Sequence, residues 1–479
     1  MTEQTYDVIV IGAGPVGENV ADRIVAGGLT AAIVERELVG GECSYWACMP
    51  TKALLRSASA LRAAREVGGA REAVTGSLDI AAVLRRRDSF ASHWKDDGQV
   101  EWLSGAGIEL VRGQGRILAD KVVEVVAEDG MTSTLTARHA VVVATGTSAL
   151  VPNLPGLRAA NPWTSREAAS ATSVPSRLVI VGGGVVATEM ATVFSTFGSS
   201  VTVLARDGVI PHVETFAGEL VTSALSDAGV DVRLGAEAVE IDRVDDGTVR
   251  VTLGDGGTVT GDEVLVAVGR VPNTAGLGLS QIGLSDGQWL HVDEELRVLD
   301  ADQAPVEWLF AAGDVNQRAL LTHQGKYQSR ALGDAIVARA QGSTVDTSAW
   351  GRHAVTADQR ALPQVIFSEP EVAAVGLSET VAQALGLNVR AVDYDLGGVA
   401  GAAVHADGYQ GRARMVVDED RGVLVGFTMV GPDVAELLHA ATIAIAGEVP
   451  LDRLWHAVPA FPTVSEVWLR LLETYGRPA

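Results

Sequence analysis

The chain of 479 residues has two cysteines, Cys43 and Cys48, and no others. A framework of structural disulfides is excluded, and so is a zinc site made of cysteines alone, which needs four. Long apolar runs are also missing, since no stretch reaches the roughly 18 residues that a spanning helix requires. Positive charge is scarce: 37 Lys and Arg stand against 60 Asp and Glu, a net charge of -23, and no basic block interrupts the acidic background. A surface of that sign repels phosphate backbones and anionic lipid, so neither nucleic acid nor membrane is expected as a partner. The first residues, MTEQT, hold no positive segment ahead of an apolar one, which argues against a secretory signal. The expected location is the cytoplasm, where a lone close pair of cysteines serves chemistry more often than stabilisation.

What is present is a long chain with 47% hydrophobic residues, enough for two to four domains with sizeable cores. An apolar run, a glycine fingerprint and a helix-forming segment occur twice, Gly182 repeating Gly12 after 170 residues. In the first copy YDVIVI reads as a buried parallel strand, GAGPVG supplies Gly12, Gly14 and Gly17 at GxGxxG spacing, and NVADRI reads as the helix. Such glycines serve a tight turn, backbone approach to a pyrophosphate and close helix packing, with the phosphates on the helix N-terminus. Glu35 ends the next strand, AAIVE, where a carboxylate accepts from a ribose hydroxyl. The second copy carries Gly182, Gly184 and Ala187. The 23 residues that separate Gly12 from Glu35 lead from Gly182 to Ala205, with Arg206 next. Loss of the acid and gain of a cation favour a coenzyme with a 2′-phosphate, NADPH, over NADH, although a lone arginine beside Asp207 also suits a solvated surface.

The cysteine pair follows the first fingerprint inside GECSYWACMPTK. A disulfide closing so small a loop constrains little of the unfolded chain, so stabilisation is a poor reason for it. Residues five apart on an ideal helix have Cα atoms about 8 to 9 Å from each other, beyond bonding reach, so a bonded pair requires a distorted turn. Pro50 suits a first helical position, which sets Cys48 against the positive end of a helix dipole and makes it the expected resting thiolate. Two unrelated buried thiols, or half of a metal site, are the plainer alternatives. Tyr45 and Trp46, between the cysteines, either wall a site or fill core. Further on, VVVATGT (141–147) reads as a strand ending in a turn, and FAAGDV (310–315) places Asp314 at a strand end where it can hold a ribityl or phosphate oxygen. From about 348 onward, alternating strand patterns followed by helical ones indicate a separate α+β domain. The glycine-rich stretches near 68 and 396 read as loops.

With these pieces in this order, the chain resembles the FAD-dependent pyridine nucleotide-disulfide oxidoreductases, the family of glutathione reductase, dihydrolipoamide dehydrogenase and mercuric reductase. The resemblance rests on GAGPVG, GGECSYWACMPTK, VVVATGT, VGGGVVATE, AVGRVPN, FAAGD and PQVIFSEPEVAAVGL, from end to end. It implies an α/β fold with two Rossmann-like dinucleotide-binding domains and a C-terminal α+β dimerisation domain. The divisions expected are an FAD-binding domain at 1–150 and 273–347, an NAD(P)-binding domain at 151–272, and the dimerisation domain of a homodimer at 348–479. Cofactor contacts are implied for Gly12, Gly14, Gly17, Glu35, Gly41, Thr145, Gly146, Gly182, Gly184, Arg206, Gly269, Arg270, Gly313, Asp314 and His323. No metal is implied. Cys48 would face the flavin as a charge-transfer thiolate, Cys43 would attack a small-molecule substrate, and Lys52 and Glu189 would form an ion pair beside flavin and nicotinamide.

One segment departs from the family pattern. The proton shuttle, His-Pro-Thr with a Glu five residues after the His and delivered by the partner subunit, here reads FPTVSE, with Phe461 at the histidine position and Glu466 keeping the acid. A phenyl ring exchanges no protons. Either Phe461 packs at a dimer interface while another group such as His456 or solvent does that work, or the acceptor differs from an ordinary disulfide. Mercuric reductase and the high-molecular-weight thioredoxin reductases need a further C-terminal redox pair that is absent here. The 2-ketopropyl coenzyme M oxidoreductase/carboxylase resembles the chain at the phenylalanine but not at Glu466. The expected activity is NAD(P)H oxidation through flavin and Cys43/Cys48 to a small disulfide or other electrophile. Thioether cleavage, direct reduction of quinones by flavin, and a non-turnover redox sensor or flavoprotein subunit are the alternatives.

Overall fold

The computed structural model describes residues 3–477, which fall into two compact units. The first gathers Met1–Met49, Asp88–Ala149 and Arg270–Asp358. Its sheet is centred on strand β1 (Glu3–Ile11), paired in parallel with β2 (Ala31–Glu35) on one side and with Thr132–Val143 on the other. Val8 and Val10 of β1 face one core and Ile9 and Ile11 the other, and all four are buried. Burial on both faces is why the sequence here is a continuous apolar run rather than an alternating one. Helix α1 (Pro15–Ala26) follows β1 and sets Val20, Ala21 and Ile24 into the first core. Against α1 lies the helix Thr322–Ala340, brought close by its own glycines. A Cβ at Gly325 would stand 2.5 Å from a methyl of Val16, and one at Gly333 2.5 Å from Cβ of Arg23. Ser329 Oγ donates to the Val16 carbonyl at 2.9 Å, and Arg23 pairs with Asp334.

The second unit gathers Pro50–Arg87, Leu150–Gly269 and Gln359–Ala479. It repeats the strand–glycine–helix plan: Arg177–Val181 runs parallel between Ser200–Ala205 and Glu263–Val266, and the helix Val185–Thr196 that follows is buried from Ala187 to Phe194. Its C-terminal part is a five-stranded antiparallel sheet, with Val423–Gly431 central and buried throughout, covered by Leu438–Ala446 and Val467–Tyr475, where Trp468 stacks on Phe427 at 4.6 Å. The expected fold class, α/β with a C-terminal α+β part, is therefore found. One expectation is corrected: the glycine-rich stretch near 396 is not a loop but a 3-10 turn leading into the helix Ala400–His405. Gly401 is there for packing, because a Cβ would lie 2.0 Å from the carbonyl carbon of Thr463. The stretch near 68 likewise continues as a single helical turn, Ala70–Ala73. Among the described residues no helix is long and apolar enough to cross a membrane.

Candidate active site

The first fingerprint does mechanically what its spacing demands. Gly12 has φ +105°, and a Cβ on it would stand 2.4 Å from the Ala144 carbonyl oxygen. A Cβ on Gly17 would stand 1.9 Å from the Gly12 oxygen, so helix and strand touch only through glycine. At Gly14, by contrast, nothing comes nearer than the Cα of Gly41 at 4.0 Å. That opening at the α1 N-terminus fits a pyrophosphate. Glu35, at the end of β2, is buried and held: Oε2 accepts from the Ala13 N–H at 2.7 Å and Oε1 from the Glu37 N–H at 2.7 Å, and burial raises its pKa. It thus braces the fingerprint loop, with second lone pairs left over for a ribose.

Gly41, at φ +57°, opens a single-turn helix α2 (Gly41–Tyr45) that carries Cys43. Trp46, at φ -135° and ψ 0°, breaks it, and helix α3 (Cys48–Arg65) then starts at Cys48 itself. The distorted turn expected between the cysteines is this break. Pro50 is a correction, because it occupies the third position of α3 rather than the first. The two cysteines are not bonded as a disulfide, and their sulfurs are within hydrogen-bond reach of each other. Cys48 lies at the positive end of an 18-residue helix, and its Sγ is 3.4 Å from Oγ1 of Thr322, first residue of the helix Thr322–Ala340. Two helix N-termini therefore favour a thiolate at Cys48. The Cys43 thiol is pushed up, first by its hydrogen bond to Cys48 and then by burial, while Thr322 and Lys326 act the other way. Tyr45 fills core: it is fully buried, and its hydroxyl donates to the Val39 carbonyl at 2.9 Å.

The strand-end segments meet in the same unit. Thr147 Oγ1 donates to Asp314 Oδ2 at 2.8 Å and accepts from Arg270 Nε at 2.6 Å, while Asn273 Nδ2 donates to the Thr145 carbonyl at 3.0 Å. Thr145 Oγ1 is buried without a hydrogen-bond partner, which fits a ligand atom completing the site. Gly146 and Gly313, at φ +65° and +79°, make the turns. Burial raises the Asp314 pKa, while Thr147 and Arg270 oppose that rise. Sequence reasoning missed what anchors Gly313. Gln328 Oε1 accepts from the Gly313 N–H at 2.8 Å, and Gln328 and Gln324 donate to the buried carboxylate of Asp358 at 2.7 and 3.0 Å. Isolated glutamines on a helix carry no sequence signal. His323, one residue past Thr322, is exposed on that helix.

In the other unit, Gly182 at φ +128° would place a Cβ 2.3 Å from the Ala267 oxygen, whereas Gly184 has nothing within 4 Å, the same pairing of crowding and opening as in the first fingerprint. Arg206 directly follows the strand Ser200–Ala205 with an exposed side chain, held by Asp207 at 2.8 Å and near Glu237 at 3.8 Å. Lys52 and Glu189 do form an ion pair, at 2.8 Å, with the Phe367 N–H donating to Glu189 at 3.0 Å and the Lys52 ammonium 5.0 Å from the Phe367 ring centre. Gly269, at φ +144°, accepts from the Leu150 N–H at 2.9 Å. Phe461 is 75% exposed, His456 is exposed, and Glu466 is buried with one oxygen taken by Arg470 at 2.5 Å and the other unpartnered.

Comparison with known proteins matches residues 6–342 to the pyridine nucleotide-disulphide oxidoreductase family and residues 362–471 to the dimerisation domain of the same family. Dihydrolipoyl dehydrogenase of Haloferax volcanii is 30% identical over 488 residues, covering 98% of this chain and 95% of the relative. Mercuric reductase of Shigella flexneri is 30% identical over 480 residues, covering 98% and 81%. Among solved structures, the Cu(II) complex of the HOCl-induced flavoprotein disulfide reductase RclA from Escherichia coli superposes with a TM-score of 0.82 at 22% identity, over 99% of both chains. LpdA from Mycobacterium tuberculosis does so with 0.81 at 24%, over 100% of both. A twofold dinucleotide fingerprint, a cysteine pair at two helix N-termini and these end-to-end matches lead to one conclusion: the chain belongs to the pyridine nucleotide-disulphide oxidoreductases, FAD-dependent enzymes that use NAD(P)H and act on sulfur groups.

Proposed function

We propose that this enzyme passes electrons from NADPH, or less readily NADH, through Cys48 and Cys43 to a small disulfide or comparable electrophile. The observation that carries the reading is the placement of Cys48 at the start of α3 and 3.4 Å from Thr322, beside a Cys43 whose thiol is held protonated by its neighbour. FAD would be held by Gly12, Gly14, Gly17, Glu35, Gly41, Thr145, Gly146, Gly313 and Asp314, and what it supplies when bound is a two-electron relay from nicotinamide to disulfide. The protein's own part is exchange: in the reduced pair Cys48 stays a thiolate against two helix dipoles, leaving Cys43 to attack the acceptor and Cys48 to close the disulfide behind it. Arg206 supports the NADPH preference through its exposed cation. Asp207 and Glu237 compete for that cation and keep the preference small. Two copies pair through the segment 362–471, and the exposed Val458 and Phe461 belong to the surface that pairing covers.

The reading is tested by NAD(P)H oxidation with low-molecular-weight disulfides, quinones, and thioethers with bicarbonate as acceptors, each with both coenzymes. Turnover with a disulfide that disappears in Cys43→Ser supports it. Turnover with quinones alone, unchanged by that substitution, sinks it.

A further inference from the structure

The loop 206–214 ties the second glycine fingerprint to the C-terminal sheet of the same unit. It starts at Arg206, directly after the strand Ser200–Ala205, and ends at Glu214, the residue before the helix Thr215–Asp227. Midway it lies against the fingerprint. The Ile210 N–H donates to the Gly183 carbonyl at 2.7 Å, and a Cβ on Gly183 would collide with the Gly208 carbonyl oxygen. Gly183 stands between the crowded Gly182 and the open Gly184, so the loop fixes the backbone that a coenzyme pyrophosphate approaches. Val209 and Ile210 are buried in one core with Val372 and Val430 of the C-terminal sheet.

The far end of the loop is held from that sheet. Glu214 is buried, its Oε1 accepting from the Glu379 N–H at 2.8 Å and its Oε2 from Arg414 Nη1 at 3.1 Å. Arg414 lies in the strand Arg412–Asp418 directly opposite Asp393, whose carboxylate accepts from Nε at 2.6 Å and from Nη2 at 2.8 Å. That fork fixes the plane of the guanidinium. Nη1 also reaches the Glu379 carboxylate at 3.0 Å, and the guanidinium carbon lies 5.4 Å from the ring centre of the buried Phe216. Arg414 is thus one cation among three carboxylates. Without it Glu214 and Glu379 repel each other, and a buried carboxylate stripped of its cation is driven outward, taking the loop away from Gly183.

We propose that Arg414 and Glu214 are positioning residues for the nicotinamide coenzyme: a clamp from the segment 362–471, which matches the dimerisation domain, holds the loop 206–214 in the shape that binds coenzyme. Both act through the loop. Its contact with Gly183 serves NADPH and NADH alike, while Arg206 at its start serves only a 2′-phosphate. Loss of the clamp therefore weakens both coenzymes, whereas loss of Arg206 weakens one. The proposal rests on the second fingerprint being the coenzyme site.

It is tested on FAD-loaded enzyme by isothermal titration calorimetry with NADP+ and with NAD+, alongside stopped-flow reduction of the flavin by NADPH, which separates coenzyme affinity from the limiting rate. Arg414→Ala and Glu214→Ala are each expected to raise Kd for both coenzymes about fivefold, with the limiting rate within about twofold of wild type. The double variant is expected to bind no more weakly than Arg414→Ala alone, because the two residues act through one bond. Arg414→Lys, which keeps the charge and loses the fork, is expected to fall between wild type and Arg414→Ala, and it serves alone if Arg414→Ala does not fold. Gly184→Asp sets a carboxylate in the opening at the fingerprint, where no neighbour lies within 4 Å to clash with it, and is expected to abolish binding of both coenzymes. Kd values in the Arg414 and Glu214 variants that coincide with wild type, while Gly184→Asp abolishes binding, overturn the clamp, and so does a loss confined to NADP+. Binding that survives Gly184→Asp overturns the reading of the second fingerprint instead.

Discussion

Single residues hold the chemistry of this enzyme because their surroundings shift a few protonation states. Cys43→Ser is expected to abolish disulfide reduction while FAD remains reducible by NADPH, as read by bleaching of the flavin under anaerobic conditions. Arg206→Ala is expected to lower kcat/KM for NADPH about tenfold and leave that for NADH within twofold, since only the 2′-phosphate meets the guanidinium. Glu18 gives a pH dependence whose sign follows from its raised pKa. A carboxyl that titrates near 7 when folded, and near 4.5 when unfolded, binds more protons in the native state between those values. Its contribution to stability is complete below about 4.5 and is lost as pH rises through 7. Thermal melts of wild type should therefore fall from pH 5 to 8 more steeply than those of Glu18→Gln, and parallel curves would contradict the assignment. The first fingerprint was legible in sequence because its glycines meet backbone oxygens at fixed spacing. Glu18 was not, because a helical carboxylate reads as solvated until burial is known.

At the scale of elements, the helix Thr322–Ala340 joins the two halves of the chemistry. Its first residue touches Cys48, and two of its glutamines, Gln324 and Gln328, hang on the buried Asp358, Gln328 also holding the Gly313 turn. Asp358→Ala would leave two amides and the Arg318 guanidinium, 3.6 Å from that carboxylate, facing a void. An unpaired buried group costs about 1–3 kcal/mol, so a loss of about 2–4 kcal/mol and weaker FAD retention are expected, measured by denaturant unfolding and by flavin released on gel filtration. Restored retention in Asp358→Asn, which keeps the acceptor oxygen, would show that the hydrogen bonds matter more than the charge. Strands and long helices were evident from period and burial pattern. The helix Ala400–His405 was hidden, since Gly401 reads as loop punctuation although it exists to let Thr463 approach.

For the whole molecule, the segment 457–462 exposes Val458 at 83% and Phe461 at 75% on a single chain, in a region matching a dimerisation domain. Apolar side chains that open to water indicate a covered face. Light scattering should give twice the chain mass of 49.8 kDa, and Val458→Asp should shift the population toward monomer. A monomeric wild type would contradict the pairing. Phe461→His should raise disulfide reductase activity if proton supply at that segment limits turnover, and an unchanged rate with FAD content intact would place the proton route elsewhere.

The sequence by itself determined the fold class, the doubled dinucleotide plan, the isolated cysteine pair and the absent imidazole, because each is written in residue type and local spacing. Only the tertiary structure decided that α3 begins at Cys48, that Thr322 stands beside its sulfur, that Asp358 anchors the Gly313 turn through Gln328, and that Glu18 is buried. Those pairings join residues as far apart in the chain as Cys48 and Thr322, 274 positions, and their energetics depend on desolvation, which exists only once helices have packed and water has left.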